Sequence, residues 1–140
     1  MKFDVQWGYN NVHIRPSDEW KAAFKTNWGL FKPRVIFFGL TNSPATFQVM
    51  MNTIFTEGIR EGQVVIYLDN ILIFSNNIND HHILVAHVLA KLRQYKLYLK
   101  LEKCEFEKGM VGYLEMVIGR GKVRMEEKKM EAIRNWMTPS

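Results

Sequence analysis

Cysteine is almost missing from this chain: Cys104 stands alone among 140 residues. A lone thiol cannot close an internal disulfide, and with no second cysteine nearby it cannot begin a thiolate zinc site. An intracellular, reducing compartment is expected, cytoplasmic or nuclear. Long apolar runs are missing too. The most hydrophobic region is interrupted by Asp69-Asn70, which excludes a membrane span. MKFDVQWG at the start lacks the apolar stretch of a signal peptide. There is no Gly-x-Gly-x-x-Gly or Walker pattern, so Gly119-Arg120-Gly121 reads as a turn rather than a phosphate loop. His81, His82 and His87 have no cysteine, and no acid beyond Asp80, at ligand spacing; zinc is not expected there. Neither an internal repeat nor a low-complexity linker is visible.

What remains is 47% hydrophobic, enough for one domain with a real core. Lys and Arg number 19 against 14 acids, for a net charge of +5. That excess fits a polyanionic partner, although many soluble domains carry as much. Lys91, Arg93, Lys96, Lys100, Lys103 and Lys108 form either a basic face toward nucleic acid or simply a solvated helix and strand edge.

The chain is organised around Gln63–Ser75, QVVIYLDNILIFS. Val64–Tyr67 and Ile71–Phe74 are strand-like runs separated by the polar pair Asp69-Asn70, the pattern of a tight hairpin. The runs are nearly continuous rather than alternating, so at least one face should be covered by helices. An acid at the tip of so apolar a ribbon is costly unless a cation meets it; as a plain turn pair, Asp-Asn would also suit positive φ.

Around the hairpin, Lys2–Gln6 reads as a strand carrying Asp4, and Val12–Arg15 as extended until Pro16-Ser17-Asp18. Trp20–Thr26 and Arg34–Phe38 read as a strand pair joined through Asn27-Trp28-Gly29. Ser43 as N-cap and Pro44 as first residue start a helix running to about Glu57, with Phe47, Met50, Met51, Ile54 and Phe55 on one face. Asn79-Asp80 caps a second helix to Tyr95, built on Leu84, Val88 and Leu92. Strands are expected in Lys96–Phe106, Gly112–Ile118 and Lys122–Met125, then a helix over Glu126–Met137 ending at Thr138-Pro139. Strands and helices without regular alternation argue α+β. If the strands bearing Asp4 and Asp69 are neighbours, the two carboxylates can meet on Mg²⁺, which uses few protein carboxylates and leaves its other positions to water and phosphate.

FDVQWGYNNVHI, WKAAFKTNWGLFKPRVIFFGLTNSPATFQ, VVIYLDNILIFS and LRQYKLYLKLEKCEF, in that order, resemble the polymerase palm of gypsy-type long-terminal-repeat retrotransposon reverse transcriptases. The likeness runs from about Phe3 to Pro139. It implies one domain over residues 1–140, a palm fragment with a small antiparallel sheet backed by helices. It further implies templated deoxynucleotide addition with two Mg²⁺ ions, on an RNA template and a DNA primer. By the same resemblance Asp4 and Asp69 are the metal-binding carboxylates. Val5, Tyr9, Phe38 and Gly39 meet the nucleotide, with Tyr9 the ring that excludes a ribose 2′-hydroxyl. Tyr67, Leu114 and Glu115 lie along the primer.

The departures matter as much. The family reads Tyr-Leu-Asp-Asp at the hairpin, and here the fourth residue is Asn70. A unit charge interacts at about 4 kcal/mol at 4 Å with ε near 20, and roughly twice that for a divalent ion. Losing half of it would cost about three decades in rate. Glu115 replaces a glycine and would set a carboxylate against the primer phosphates. The chain starts three residues before Asp4, and most of the fingers and the thumb are expected to be lacking. The exposed apolar flanks would favour self-association. The expectation is a weak or inactive polymerase palm; the alternative is a non-catalytic nucleic-acid-binding or protein-interaction remnant.

Overall fold

The computed structural model describes residues 1–136; Met137, Thr138 and Pro139, where the sequence puts the end of the last helix, lie outside them. In chain order the elements are β1 (Lys2–Asp4), β2 (Phe24–Thr26), β3 (Gly29–Phe31), α1 (Ser43–Ile54), α2 (Thr56–Arg60), β4 (Val64–Tyr67), β5 (Asn70–Ile73), α3 (Ile78–Gln94), β6 (Met110–Tyr113), β7 (Met116–Gly119), β8 (Lys122–Met125) and α4 (Glu127–Arg134). The mixture is α+β, with three small antiparallel sheets ordered β1-β5-β4, β2-β3 and β6-β7-β8.

The expected central hairpin is present, and β5 explains its near-continuous hydrophobicity. This strand lies between β1 and β4 and is covered on both faces. Ile71 and Ile73 enter the main core with Phe3, Phe47, Met51, Val64, Val88 and Leu92. Leu72 points the other way, into a second cluster with Val111, Tyr113 and Ile118. The α1 face is as expected: Phe47, Met51, Ile54 and Phe55 are buried, and Met50 packs beside them. Burying a side chain such as Phe47 is worth roughly 1.5–3 kcal/mol.

Several boundaries differ from the sequence reading. The two-residue tip is Leu68-Asp69, because Tyr67 pairs with Asn70, which is already the first residue of β5. Leu68 takes the left-handed conformation, φ 51°. Trp20 lies in a 3-10 helix over Pro16–Ala22 rather than a strand. The ribbon is β2 with β3, and of Arg34–Phe38 only Val35 bridges, to His13. Asn27-Trp28 makes the tighter turn, so β3 follows at once. Asn42, not Ser43, caps α1, with no side-chain bond; Ser43 is buried instead. That helix stops at Ile54, and Phe55 separates it from α2. Asn77, rather than Asn79-Asp80, caps α3, its side chain accepting the Asp80 N–H. Lys96–Phe106 is no strand: Lys96 has φ 55°, Leu101–Lys103 is a 3-10 turn, and only Leu99 and Glu105 bridge to β1 and its neighbour Val5. Gly112–Ile118 is broken at Leu114-Glu115 into β6 and β7.

Candidate active site at the end of the central sheet

β1 ends at Asp4, whose partner across the ladder is Asn70, and Asn70 is in turn opposite Tyr67. Residues directly opposite share a face, so Asp4, Asn70 and Tyr67 line up at one end of the sheet. Asp69 sits in the turn immediately beside them. The Val5 N–H donates to the Asp69 carbonyl at 2.8 Å, tying the end of β1 to that turn. The Asn70 amide donates to Asp69 Oδ1 at 3.0 Å.

The turn is held from α1. Gln48 Oε1 accepts the Leu68 N–H at 2.7 Å, while Nε2 donates to Asn52 Oδ1 at 2.8 Å and to the Ile66 carbonyl at 3.3 Å. A left-handed leucine costs about 1–2 kcal/mol, and this clamp offsets part of it. From behind, the buried Tyr113 hydroxyl donates to the Asn70 carbonyl at 3.4 Å, and burial pushes its pKa up to about 12.

Asp4 is 8% exposed. Burial raises its pKa above the ordinary carboxylate value; Lys103 opposes that, the charge of Asp69 adds to it, and Lys100 and Lys2 oppose it further. Asp69 acts on it from the turn that the Val5 N–H ties to the end of β1. Lys103 Nζ lies 3.9 Å from Asp4 Oδ2, too long for a hydrogen bond. A buried carboxylate with a second acid in the adjoining turn, and Lys103 no nearer than 3.9 Å, is a donor set that fits a divalent ion. Magnesium needs no more than one or two carboxylates from the protein, whereas Asn70 brings an amide and no charge. Among the described residues no group of three or more His, Cys, Asp and Glu forms a ready-made cage.

Beside Asp69 lies a recess of about 90 Å³ lined by Gly8, Tyr9, Phe38, Phe47 and Leu68. Tyr9 stands in a 3-10 helix (Gly8–Asn11), 4.7 Å from the Phe38 ring and edge-on to Phe47 at 5.4 Å. Gly8 permits this, since a Cβ there would lie 2.5 Å from Phe47 Cζ. Phe38 is highly exposed, and Gly39 has φ 100° with open space around it. Val5 is buried in the core, so only its main chain can face a ligand. Tyr67 is half exposed on the sheet end.

Leu114 and Glu115 form the β6–β7 turn, both left-handed with φ 49° and 63°. Glycine suits such a turn, which is the physical reason for the family's residue at 115. The Glu115 carboxylate is paired with Lys129 of α4. Three lysines of the supposed basic face are likewise engaged: Lys91 with Glu57, Lys103 with Asp4 and Lys108 with Glu105. Sequence reading overlooked Gln48 and Tyr113, whose bonds to the turn span 20 and 43 residues. No local periodicity signals such bonds.

A polymerase palm is the class of structure this arrangement defines. Residues 1–128 match the family described as reverse transcriptase (RNA-dependent DNA polymerase). The transposon Tf2-7 and Tf2-3 polyproteins of Schizosaccharomyces pombe are each 33% identical over 138 residues, 99% of this chain and 10% of theirs. The chain thus spans about a tenth of the length of the curated relatives it matches. Among solved structures, the foamy viral protease-reverse transcriptase in complex with RNA/DNA hybrid has a TM-score of 0.85 at 19% identity, covering 99% of this chain and 18% of that one. The same viral protein in complex with dsDNA gives 0.86 at 19%, covering 99% and 28%. This chain belongs to the reverse transcriptase family.

Proposed function

We propose that this chain is the palm of an RNA-directed DNA polymerase, adding deoxynucleotides to a DNA primer on an RNA template, with its chemistry weakened by Asn70. The observation that supports the reading is that Asp4 ends β1 opposite Asn70 while the Val5 N–H holds the main chain of Asp69 in the adjoining turn. These two carboxylates would hold Mg²⁺, which when bound lowers the pKa of a primer 3′-hydroxyl and neutralises charge on the α-phosphate. Gln48 and Tyr113 keep the turn carrying Asp69 in place. Tyr9, braced by Phe38 and Phe47, walls the sugar pocket against a 2′-hydroxyl. Tyr67 supports the primer end.

Purified protein in a Mg²⁺-dependent primer-extension assay tests this. Slow, metal-dependent addition that Asn70→Asp accelerates is expected. No synthesis by either protein, with nucleic-acid binding that falls with salt and ignores Mg²⁺, would establish the non-catalytic reading instead. That second reading draws on Asn70, whose amide is spent on Asp69, and on Glu115.

A further inference from the structure

The C-terminal end of α3 takes no part in the site above. The helix closes in a Schellman turn, with Lys96 left-handed at φ 55°. The Lys96 N–H donates to the Arg93 carbonyl at 3.2 Å, and the Leu97 N–H to the Leu92 carbonyl at 2.9 Å. This turn brings Leu97 into the main core with Leu92. Over those two residues runs a groove of about 530 Å³, with Leu89, Tyr98 and Leu101 on its walls. Tyr98 and Leu101 are each 68% exposed, so the walls are apolar and open to solvent. One wall is fixed to β1 and its neighbour: the Gln6 N–H donates to the Tyr98 carbonyl at 2.7 Å, and the Lys100 N–H to the Asp4 carbonyl at 2.9 Å. The groove is therefore preformed.

Charge decides the occupant. Arg93 and Lys96 stand on the rim, and among the described residues no acid lines the groove. Neither cation forms an ion pair there. Lysine at position 96 is itself informative. Glycine would take the left-handed conformation without strain, whereas lysine is strained there and sets a charge on the rim. The matching partner brings apolar side chains flanked by acids. Nucleic acid fits poorly, since the walls are mostly aliphatic and offer a single ring for stacking. A second copy would set two chains of net charge +5 against each other. A short amphipathic helix meets both demands: apolar residues three and four apart enter the groove, and Asp or Glu beside them meet Arg93 and Lys96.

We propose that this groove docks an acidic amphipathic helix of a partner protein, apart from the Asp4–Asp69 chemistry. Docking needs no metal, so the two readings fail separately. The test is fluorescence anisotropy, in EDTA, of a labelled dodecapeptide of leucine and glutamate patterned as an amphipathic helix, with its leucine–lysine counterpart as control. The acidic peptide should bind, the basic one should not, and Mg²⁺ should change neither. Lys96→Gly should weaken the acidic peptide about threefold, the loss of one rim ion pair. Its urea midpoint should match or exceed that of the parent, because the left-handed strain is relieved. Arg93→Glu with Lys96→Glu should weaken the acidic peptide about tenfold or more and let the basic one bind instead. Leu101→Ser, at an exposed wall, should cost about fivefold through lost apolar contact. Absence of acidic-peptide binding would overturn the proposal, as would equal binding of the two peptides or unaltered affinity in all three variants. Displacement of the peptide by equimolar oligothymidylate would overturn it by assigning the groove to nucleic acid. A dimer on size-exclusion chromatography that the same variants abolish would overturn it too.

Discussion

Replacing Asn70 by aspartate interrogates the whole site, because residue 70 faces Asp4 across the ladder and touches Asp69 beside it. Opposite residues in an antiparallel pair stand about 5 Å apart. Two unit charges at that distance repel by about 3 kcal/mol at an effective ε near 20. The side chains at 69 and 70 are partly open to solvent, so about half of that per pair is a fair expectation. The substitution also removes the amide that donates to the Asp69 carboxylate, worth about 1.5–3 kcal/mol. In EDTA, Asn70→Asp should therefore lose about 4.5–6 kcal/mol by urea denaturation, from the two repulsions and the lost amide bond together, a large part of the 5–15 kcal/mol typical of a domain. Mg²⁺ should reverse about half of the loss. Saturation at a hundred times the dissociation constant returns about 2.7 kcal/mol, and the variant should gain more from it than the parent. Primer extension should rise by as much as about three decades. Equal destabilisation with and without Mg²⁺, together with unchanged synthesis, would refute a shared cation site at Asp4, Asp69 and residue 70.

The remaining predictions are simpler. Gly8→Ala should cost about 1–3 kcal/mol by overpacking, since Phe47 is fully buried and cannot yield to a Cβ 2.5 Å away; denaturation showing a change below about 0.5 kcal/mol would contradict this packing. Gln48→Leu strands the Leu68 N–H and should cost about 1–3 kcal/mol. Hydrogen exchange should speed up at Leu68, and Mg²⁺ affinity should fall as the turn loosens. For Asp4 the sign runs with its raised pKa. The folded protein holds this proton more tightly than the unfolded chain, whose value is 3.8. Above the raised pKa the charged group lowers stability, and that cost is relieved as pH falls through it toward 3.8. In EDTA, wild type should thus gain on Asp4→Asn across that window, measured as the difference in urea midpoints. A constant difference would mean the carboxylate is not desolvated.

Much of this protein was legible from pattern alone. Apolar spacing located α1 and α3, because burying one helical face demands residues three and four apart. Two β-rich runs around a polar break located the β4–β5 hairpin, and the order of four motifs identified the family. Asp69 stood out because an acid at the tip of an apolar ribbon calls for a cation, while the metal role expected of Asp4 came from the family resemblance. What the linear chain did not decide was anything that depends on partners from distant elements. The turn moved to Leu68-Asp69 because pairing of Tyr67 with Asn70, with β1 on the far side of β5 and Gln48 holding the Leu68 N–H, sets the register there. Lys96–Phe106 has strand-like composition, yet it finds only isolated bridges near β1. The sequence sets Glu115 at a turn with no partner in view, and α4 brings Lys129 beside it. Local preference sets the kind of element, but ladder register and ion pairing are settled between segments far apart in sequence, and only the packed structure brings those together.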